Sequence, residues 1–204
     1  MGKHIITIGR EHGSGGLYIG EELGKALGIT CYDSQLVMET AANSGLAPSY
    51  IAANEEQRPT SLLYTLVMGI TSSQGDSLPV QLYRAESEAI RRIANRESCI
   101  FIGRCSDYIL RDNPDVINVF VHAPLAERIR RVCEYDHLTP VAAARLIQTK
   151  DRERSTYYDH FTGQKWGYAK NYHLSLDTSV LGTDGAIEAI LQYIALVDKR
   201  KNAQ

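Results

Sequence analysis

The sequence lacks any run of apolar residues near the roughly 20 that a membrane-spanning helix requires, and its opening residues, which run straight into a strand-like stretch, lead us to expect no cleavable secretion signal. It carries little net charge. With 22 Lys+Arg against 24 Asp+Glu the balance is -2 at pH 7, so no overall basic field draws the protein to DNA, RNA or anionic lipid. Its 4 cysteines, Cys31, Cys99, Cys105 and Cys133, show no C-x-x-C spacing, which argues for reduced core thiols rather than zinc or a disulfide framework. Repeats and low-complexity tracts are also missing. What is present is 44% hydrophobic residues across 204 positions, enough for one domain with a substantial core and too much for disorder. The expectation is a cytoplasmic protein that acts on small molecules, with no nucleic acid polymer or membrane as partner.

His4 to Ile8 is short, apolar and β-branched, as suits a strand covered on both faces. Gly9 to Gly16 is glycine-rich, and Ile19, Leu23, Ala26 and Leu27 then recur at helical spacing until Gly28 stops the helix. Ile29 to Tyr32 reads as a second strand. Gln35 to about Gly75 reads as helical in pieces, punctuated by Pro48, Pro59 and Ser72 to Gly75. Leu82, Ala85, Ala89 and Ile93 mark one face of the next helix. Cys99 to Ile102 and Val116 to Val121 read as strands, and Pro124 opens a helix with Leu125, Ile129 and Val132 inward. Thr139-Pro140 caps a further helix running into Lys150-Asp151-Arg152-Glu153-Arg154. His173 to Leu176 is a fifth strand, and Thr183 caps a last helix with Ile187, Ile190, Leu191 and Ile194 on one face.

Strands alternating with helices predict a three-layer α/β/α domain around a five-stranded parallel sheet. Such sheets bind ligands at the carboxyl ends of their strands. The glycine loop, Asp33-Ser34, Gly103-Arg104 and Asp177-Thr178-Ser179 all fall there, and this convergence is the main pointer to a site.

In the loop Arg10-Glu11-His12-Gly13-Ser14-Gly15-Gly16, the glycines let successive N–H groups converge on an anion at a helix N-terminus. The usual phosphate loop reads G-x-x-x-x-G-K-[ST]. Aligned on Gly15, this chain has Arg10 in place of the first glycine, Gly16 in place of the lysine and Leu17 in place of the hydroxyl residue. It fails the motif but keeps a backbone anion nest. The dinucleotide pattern G-x-G-x-x-G is a rival that starts at Gly13, yet Tyr18 stands where its third glycine allows close packing. A glycine-rich turn that binds nothing is the remaining alternative.

These stretches together resemble the cytidylate kinase-like family, a branch of the phosphate-loop nucleoside monophosphate kinases. The resemblance covers nearly the whole chain and is carried by Ile5-Ile6-Thr7-Ile8-Gly9-Arg10-Glu11-His12-Gly13-Ser14-Gly15-Gly16, Tyr32-Asp33-Ser34, Phe101-Ile102-Gly103-Arg104, Lys150 to Arg154 and Leu176 to Ser179. The missing loop lysine is itself part of the likeness. The resemblance implies ATP and Mg2+ as cofactors, with Gly13, Ser14, Gly15 and Gly16 cradling the β-phosphate of ATP; Arg10 and His12, beside that loop, are further candidates at the ATP phosphates. It implies Asp33, Ser34, Arg84, Gly103 and Arg104 at the acceptor, a helical acceptor-binding insert over 35–95 and a lid over 138–172 within a single domain spanning 1–204. Ordinary cytidylate kinases flank the Gly-Arg pair with aspartates, where this chain has Ile102 and Cys105. Asp33 and Asp107 are the remaining nearby acids.

The function so implied is ATP-dependent phosphoryl transfer to a nucleoside monophosphate, cytidylate by resemblance. The alternatives are a catalytically silent nucleotide-binding protein and a kinase for another small metabolite. Phosphoryl transfer needs donor and acceptor held in line and positive charge on the equatorial oxygens. Arg10, Arg152 and Arg154 are therefore the expected catalytic residues, with Arg10 or a lid arginine replacing the lysine. No protein metal ligand is expected, since magnesium keeps ATP oxygens and water. His12 is as well suited to ordering the loop as to touching phosphate, and Tyr157, Tyr158, Phe161 and Trp166 to packing the lid. Arg91, Arg92, Arg128, Arg130 and Arg131 read as surface charges.

Overall fold

The computed structural model describes residues 3–43 and 78–203. The strands are β1 (Ile5–Arg10), β2 (Thr30–Tyr32), β3 (Cys99–Ile102), β4 (Val116–His122) and β5 (Leu174–Asp177). The described helices are α1 (Gly16–Leu27), α2 (Ser34–Asn43), α3 (Leu78–Arg96), α4 (Ser106–Ile109), α5 (Leu125–Asp136), α6 (Pro140–Thr162) and α7 (Thr178–Lys201). The expected breaks at Pro48, Pro59 and Ser72 to Gly75 lie outside the described residues, as does most of the expected acceptor insert.

All strands pair in parallel in the order β2-β3-β1-β4-β5. Ile5 lies beside both Cys99 and Val116, so β1 is the central strand and its two neighbours share one register. Successive side chains point to opposite faces of a strand. Ile6 and Ile8 thus pack with α1 (Ile19, Leu23) and α7 (Ala186, Ile190, Ile194), while Ile5 packs with α3 (Ala89, Ile90, Ile93) on the other face. Polar side chains inside the sheet are paired: the Thr7 hydroxyl donates to Asn118 Oδ1 at 2.7 Å. Helices on both faces make the three-layer α/β/α architecture read from the sequence.

Helix ends follow their local chemistry. Gly28 closes α1 with φ 65, and the Thr139 hydroxyl accepts the N–H of Ala142 at the start of α6. The last helix begins earlier than expected, because Asp177 accepts the N–H of Ser179 and starts α7 at Thr178. Gly182 then breaks the helical backbone with φ 69, immediately before the Thr183 that was expected as the cap. Among the described residues α7 alone is long and apolar enough to cross a bilayer by window composition. Asp184 and Glu188 interrupt it, which is why no unbroken apolar run marks it in the sequence. Leu125, expected inward on α5, is 51% exposed, and Val132 and Ile129 carry the packing against α6. Cys99 and Cys105 are buried thiols, and none of the four cysteines forms a disulfide.

Candidate active site

Because every strand runs the same way, the residues that follow β1, β2 and β3 meet at one edge of the sheet. The loop after β1 turns into α1 through Gly13 (φ 78) and Gly15 (φ 88), left-handed conformations that favour glycine. Ile19 is the first residue of α1 whose N–H meets a backbone acceptor, the Gly15 carbonyl at 3.0 Å. Among the described residues no backbone acceptor serves the N–H groups of Gly13, Gly15, Gly16, Leu17 and Tyr18. Those orphan donors at a helix N-terminus form the cradle an anion would fill.

The opposite side of the loop is held rigidly. Gly13 lies against the Arg128 carbonyl and Val132, and Gly15 against the methyl group of Thr183. The Ser14 side chain faces inward and donates to the Glu11 carbonyl at 2.8 Å, so it orders the loop rather than facing the cleft. The Ser14 carbonyl accepts from Arg131 Nη1 and from the Thr178 hydroxyl. Asp151 accepts the His12 N–H at 2.8 Å and also pairs with Arg128, which reaches on to the His12 carbonyl. Burial first, then Arg154, lowers the pKa of the His12 imidazole, and its buried Nε2 has no partner among the described residues.

Arg10 ends β1. Its stem crosses Gly16, where an added Cβ would sit 2.6 Å from Arg10 Cβ, and its guanidinium lies over Gly103 at the end of β3. Burial first, then Arg154 and Arg104, push the Arg10 guanidinium well below its ordinary pKa, while Asp33 opposes the shift. Arg154 donates to the Arg10 carbonyl at 3.0 Å, and burial also lowers its own pKa. Gly103, Arg104 and Cys105 all adopt left-handed backbone, with φ 72, 57 and 54. For two non-glycine residues this is strained, at about 1–3 kcal/mol each. The turn brings Arg104 to within 3.1 Å of Glu86 Oε1 and 5.9 Å from the Tyr157 ring centre. Glu86 is fully buried and also accepts the Tyr157 hydroxyl at 2.8 Å.

One cleft results, lined by Gly9, Arg10, Ser34, Gly103, Arg104, Lys150, Arg154 and an aromatic side of Tyr157, Tyr158, Trp166 and Tyr172. Of the expected site residues, this brings together Arg10, Arg154, Ser34, Gly103 and Arg104. Asp33 spends its carboxylate capping α2, where Oδ1 accepts the Leu36 N–H at 2.9 Å. Arg152 is exposed and does not line the cleft, because two positions along a helix are about 200° apart and Arg154 takes the inward one. Arg84 is likewise exposed on α3, and the charged side chain that α3 turns inward is Glu86.

Arg128 and Arg131 correct the surface-charge reading. They are largely buried clamps on the glycine loop, whereas Arg92 and Arg130 are exposed and paired on their own helices with Glu88 and Glu127. Glu86 and Arg128 carried a signal in the sequence. Each lies at three- or four-residue spacing from buried positions, Glu86 between Leu82 and Ala89 and Arg128 before Val132, and a charge on an inward stripe must find a partner. Among the described residues no three His, Cys, Asp or Glu side chains are grouped to hold a metal.

A parallel sheet with a glycine-rich anion cradle after its first strand and converging guanidinium groups defines the phosphate-loop kinase class. The chain belongs to the cytidylate kinase-like family, whose model matches residues 5–180. Among solved structures it is similar to an uncharacterized protein from Eubacterium ventriosum ATCC 27560, with TM-score 0.74 and 25% identity over 95% of this chain and 99% of that one. A gluconokinase from Sinorhizobium meliloti 1021 matches with TM-score 0.57 and 17% identity over 98% and 97% of the two chains. A shikimate kinase from Bacteroides thetaiotaomicron matches with TM-score 0.54 and 10% identity over 94% and 98%. These last two show a shared fold. No curated protein matches the sequence significantly.

Proposed function

We propose that the protein transfers the γ-phosphoryl group of ATP to a small phosphorylated acceptor, with a nucleoside monophosphate, cytidylate first, as the substrate class. The observation that carries this reading is the set of amides of Gly13, Gly15, Gly16, Leu17 and Tyr18, without a backbone acceptor among the described residues, on the loop that follows Arg10, with Arg104 and Arg154 near the Arg10 guanidinium. The amides of Gly13, Gly15 and Gly16 hold the donor phosphates, and His12 orders the loop through its N–H on Asp151. Arg154 and Arg10 stabilise the charge of the phosphoryl group in transit, an effect worth roughly 10³–10⁵ in rate for an arginine so placed. Ser34 and Arg104 face the acceptor. An acceptor oxygen bonds to the γ-phosphorus as the bond to the bridging oxygen breaks, and ADP leaves with the electron pair. A phosphate acceptor ionised at neutral pH needs no base. Magnesium, when bound, is carried by ATP oxygens and water and neutralises the phosphates.

A second reading, a kinase for a different small metabolite, is favoured by Ile102 and Cys105, which replace the two aspartates that flank Gly-Arg in ordinary cytidylate kinases. A thermal-shift panel of ATP, CMP, dCMP, UMP and AMP, followed by coupled ADP release, tests both. Stabilisation by ATP with ADP release dependent on CMP supports the first reading. Release confined to a non-nucleotide acceptor supports the second. Stabilisation without any acceptor-dependent release leaves a nucleotide-binding protein, and no stabilisation by any nucleotide removes the phosphotransfer reading.

A further inference from the structure

We propose that Arg10 takes the part of the phosphate-loop lysine, and that its guanidinium meets the γ-phosphoryl group beside Gly103 instead of the β-phosphate over the loop. The inference rests on the phosphotransfer reading and locates one charge within it. Aligned on Gly15, the lysine of the usual loop belongs at position 16. A Cβ at Gly16 would lie 2.6 Å from Arg10 Cβ and 2.8 Å from its Cγ, so the arginine stem already fills the space from which a lysine would start. The two side chains exclude one another, and the chain has kept the one that enters from the end of β1.

The head of Arg10 lies farther across the site than the loop. It rests on the backbone of Gly103, which ends the neighbouring strand β3, because a Cβ there would overlap Arg10 Nη1. No hydrogen bond joins the Arg10 guanidinium to any described residue, while its carbonyl is taken by Arg154. Arg154 and Arg104 add like charge nearby, and the opposing carboxylate, Asp33, is occupied at the α2 N-terminus. Three guanidinium groups at one end of a cleft, one of them without a hydrogen-bond partner, leave an anion as the missing component. The β-phosphate has the loop amides, so the group between loop and acceptor is the γ-phosphoryl.

The test compares binding of magnesium-ADP and magnesium-AMP-PNP, a non-transferring ATP analogue, by titration calorimetry. The variants are Arg10→Ala, Arg10→Gln and Arg10→Gly combined with Gly16→Lys, the glycine removing the Cβ that would lie 2.6 Å from a Cβ at position 16; glutamine keeps part of the stem over Gly16 if alanine impairs folding. Arg10→Ala and Arg10→Gln are expected to weaken AMP-PNP by about 10- to 100-fold, the scale of a charged hydrogen bond, and ADP by less than about threefold. The double variant is expected to regain about tenfold or more in AMP-PNP affinity, since it moves the cation back to its usual origin. Equal loss of ADP binding would place Arg10 at the β-phosphate and overturn the inference, and so would unchanged AMP-PNP binding. Loss without recovery in the double variant would overturn the equivalence of the two positions. Failure of the unaltered protein to bind either nucleotide would instead remove the phosphotransfer reading on which this inference stands.

Discussion

Arg10 occupies the space above Gly103 that any larger residue there would need. The contact joins the first and third strands at the carboxyl edge of the sheet, and it makes a glycine of β3's end a condition for the cation of β1's end. Gly103→Ala adds both a collision with Arg10 Nη1 and a left-handed backbone that alanine disfavours. We expect a loss of about 2–4 kcal/mol in urea denaturation, from backbone strain and overpacking together. In an Arg10→Ala background the collision disappears and only the backbone part remains, so the two substitutions should couple by about 1 kcal/mol or more. Strict additivity would show that the guanidinium moves aside at no cost.

Three arginines of α5 should separate cleanly in the same measurement. Arg128 is 8% exposed and joins Asp151, Glu11 and two backbone carbonyls around the loop. Arg128→Met therefore leaves Asp151 and Glu11 without their cation and is expected to cost about 3 kcal/mol, with nucleotide binding weakened as the loop loosens. Arg131→Met, which frees the Ser14 carbonyl and Thr178, should behave similarly but less severely. Arg130→Met, two residues from Arg128 but exposed, should stay within about 0.5 kcal/mol of the parent.

Arg152 and Arg154 stand two residues apart on α6 and should differ sharply in turnover. Arg154→Ala is expected to reduce acceptor-dependent ADP release by about 10²-fold or more, as removal of a charge-stabilising donor does. Arg152→Ala should change it by less than about threefold, because Arg152 is exposed and outside the cleft. A large effect at Arg152 with none at Arg154 would mean that α6 rotates when substrate binds.

Asp107 gives a pH signature. Burial raises the pKa of its carboxyl, while the Tyr158 hydroxyl, donating to Oδ2 at 2.7 Å, holds it down in part. The folded protein therefore binds this proton more readily than the unfolded chain, whose aspartates titrate near about 4. By linkage, the contribution of Asp107 to stability falls as pH rises from about 4 through the raised folded value, and is constant above it. Asp107→Asn should abolish that slope in pH-dependent denaturation. Tyr158→Phe should move the carboxyl titration, followed by carbon NMR, further upward. A downward movement would mean that the Tyr158 hydroxyl does not hold the carboxyl down.

The alternation of elements and the parallel sheet could be read from local chemistry alone, and so could the strand ends that form the candidate site. Cys99 to Ile102 is apolar at every position, and the Thr139-Pro140 cap and the Gly28 stop act through neighbours a few residues away, so short-range chemistry was enough to read them. The sequence also showed that the loop carries a cation at Arg10 and none at Gly16. Where each charge goes depended on how the elements pack. Arg152 and Arg154 have the same composition around them, and helix rotation relative to the sheet separates them. Arg84 stays on the exposed side of α3 because the helix docks with Glu86 inward, and Arg128 becomes a clamp because Asp151, 23 residues on, folds back against it. The space over Gly16 and Gly103 belongs to Arg10 through contacts made across strands. A linear pattern names which charges a site has, but the direction of each depends on packing between elements distant in the chain.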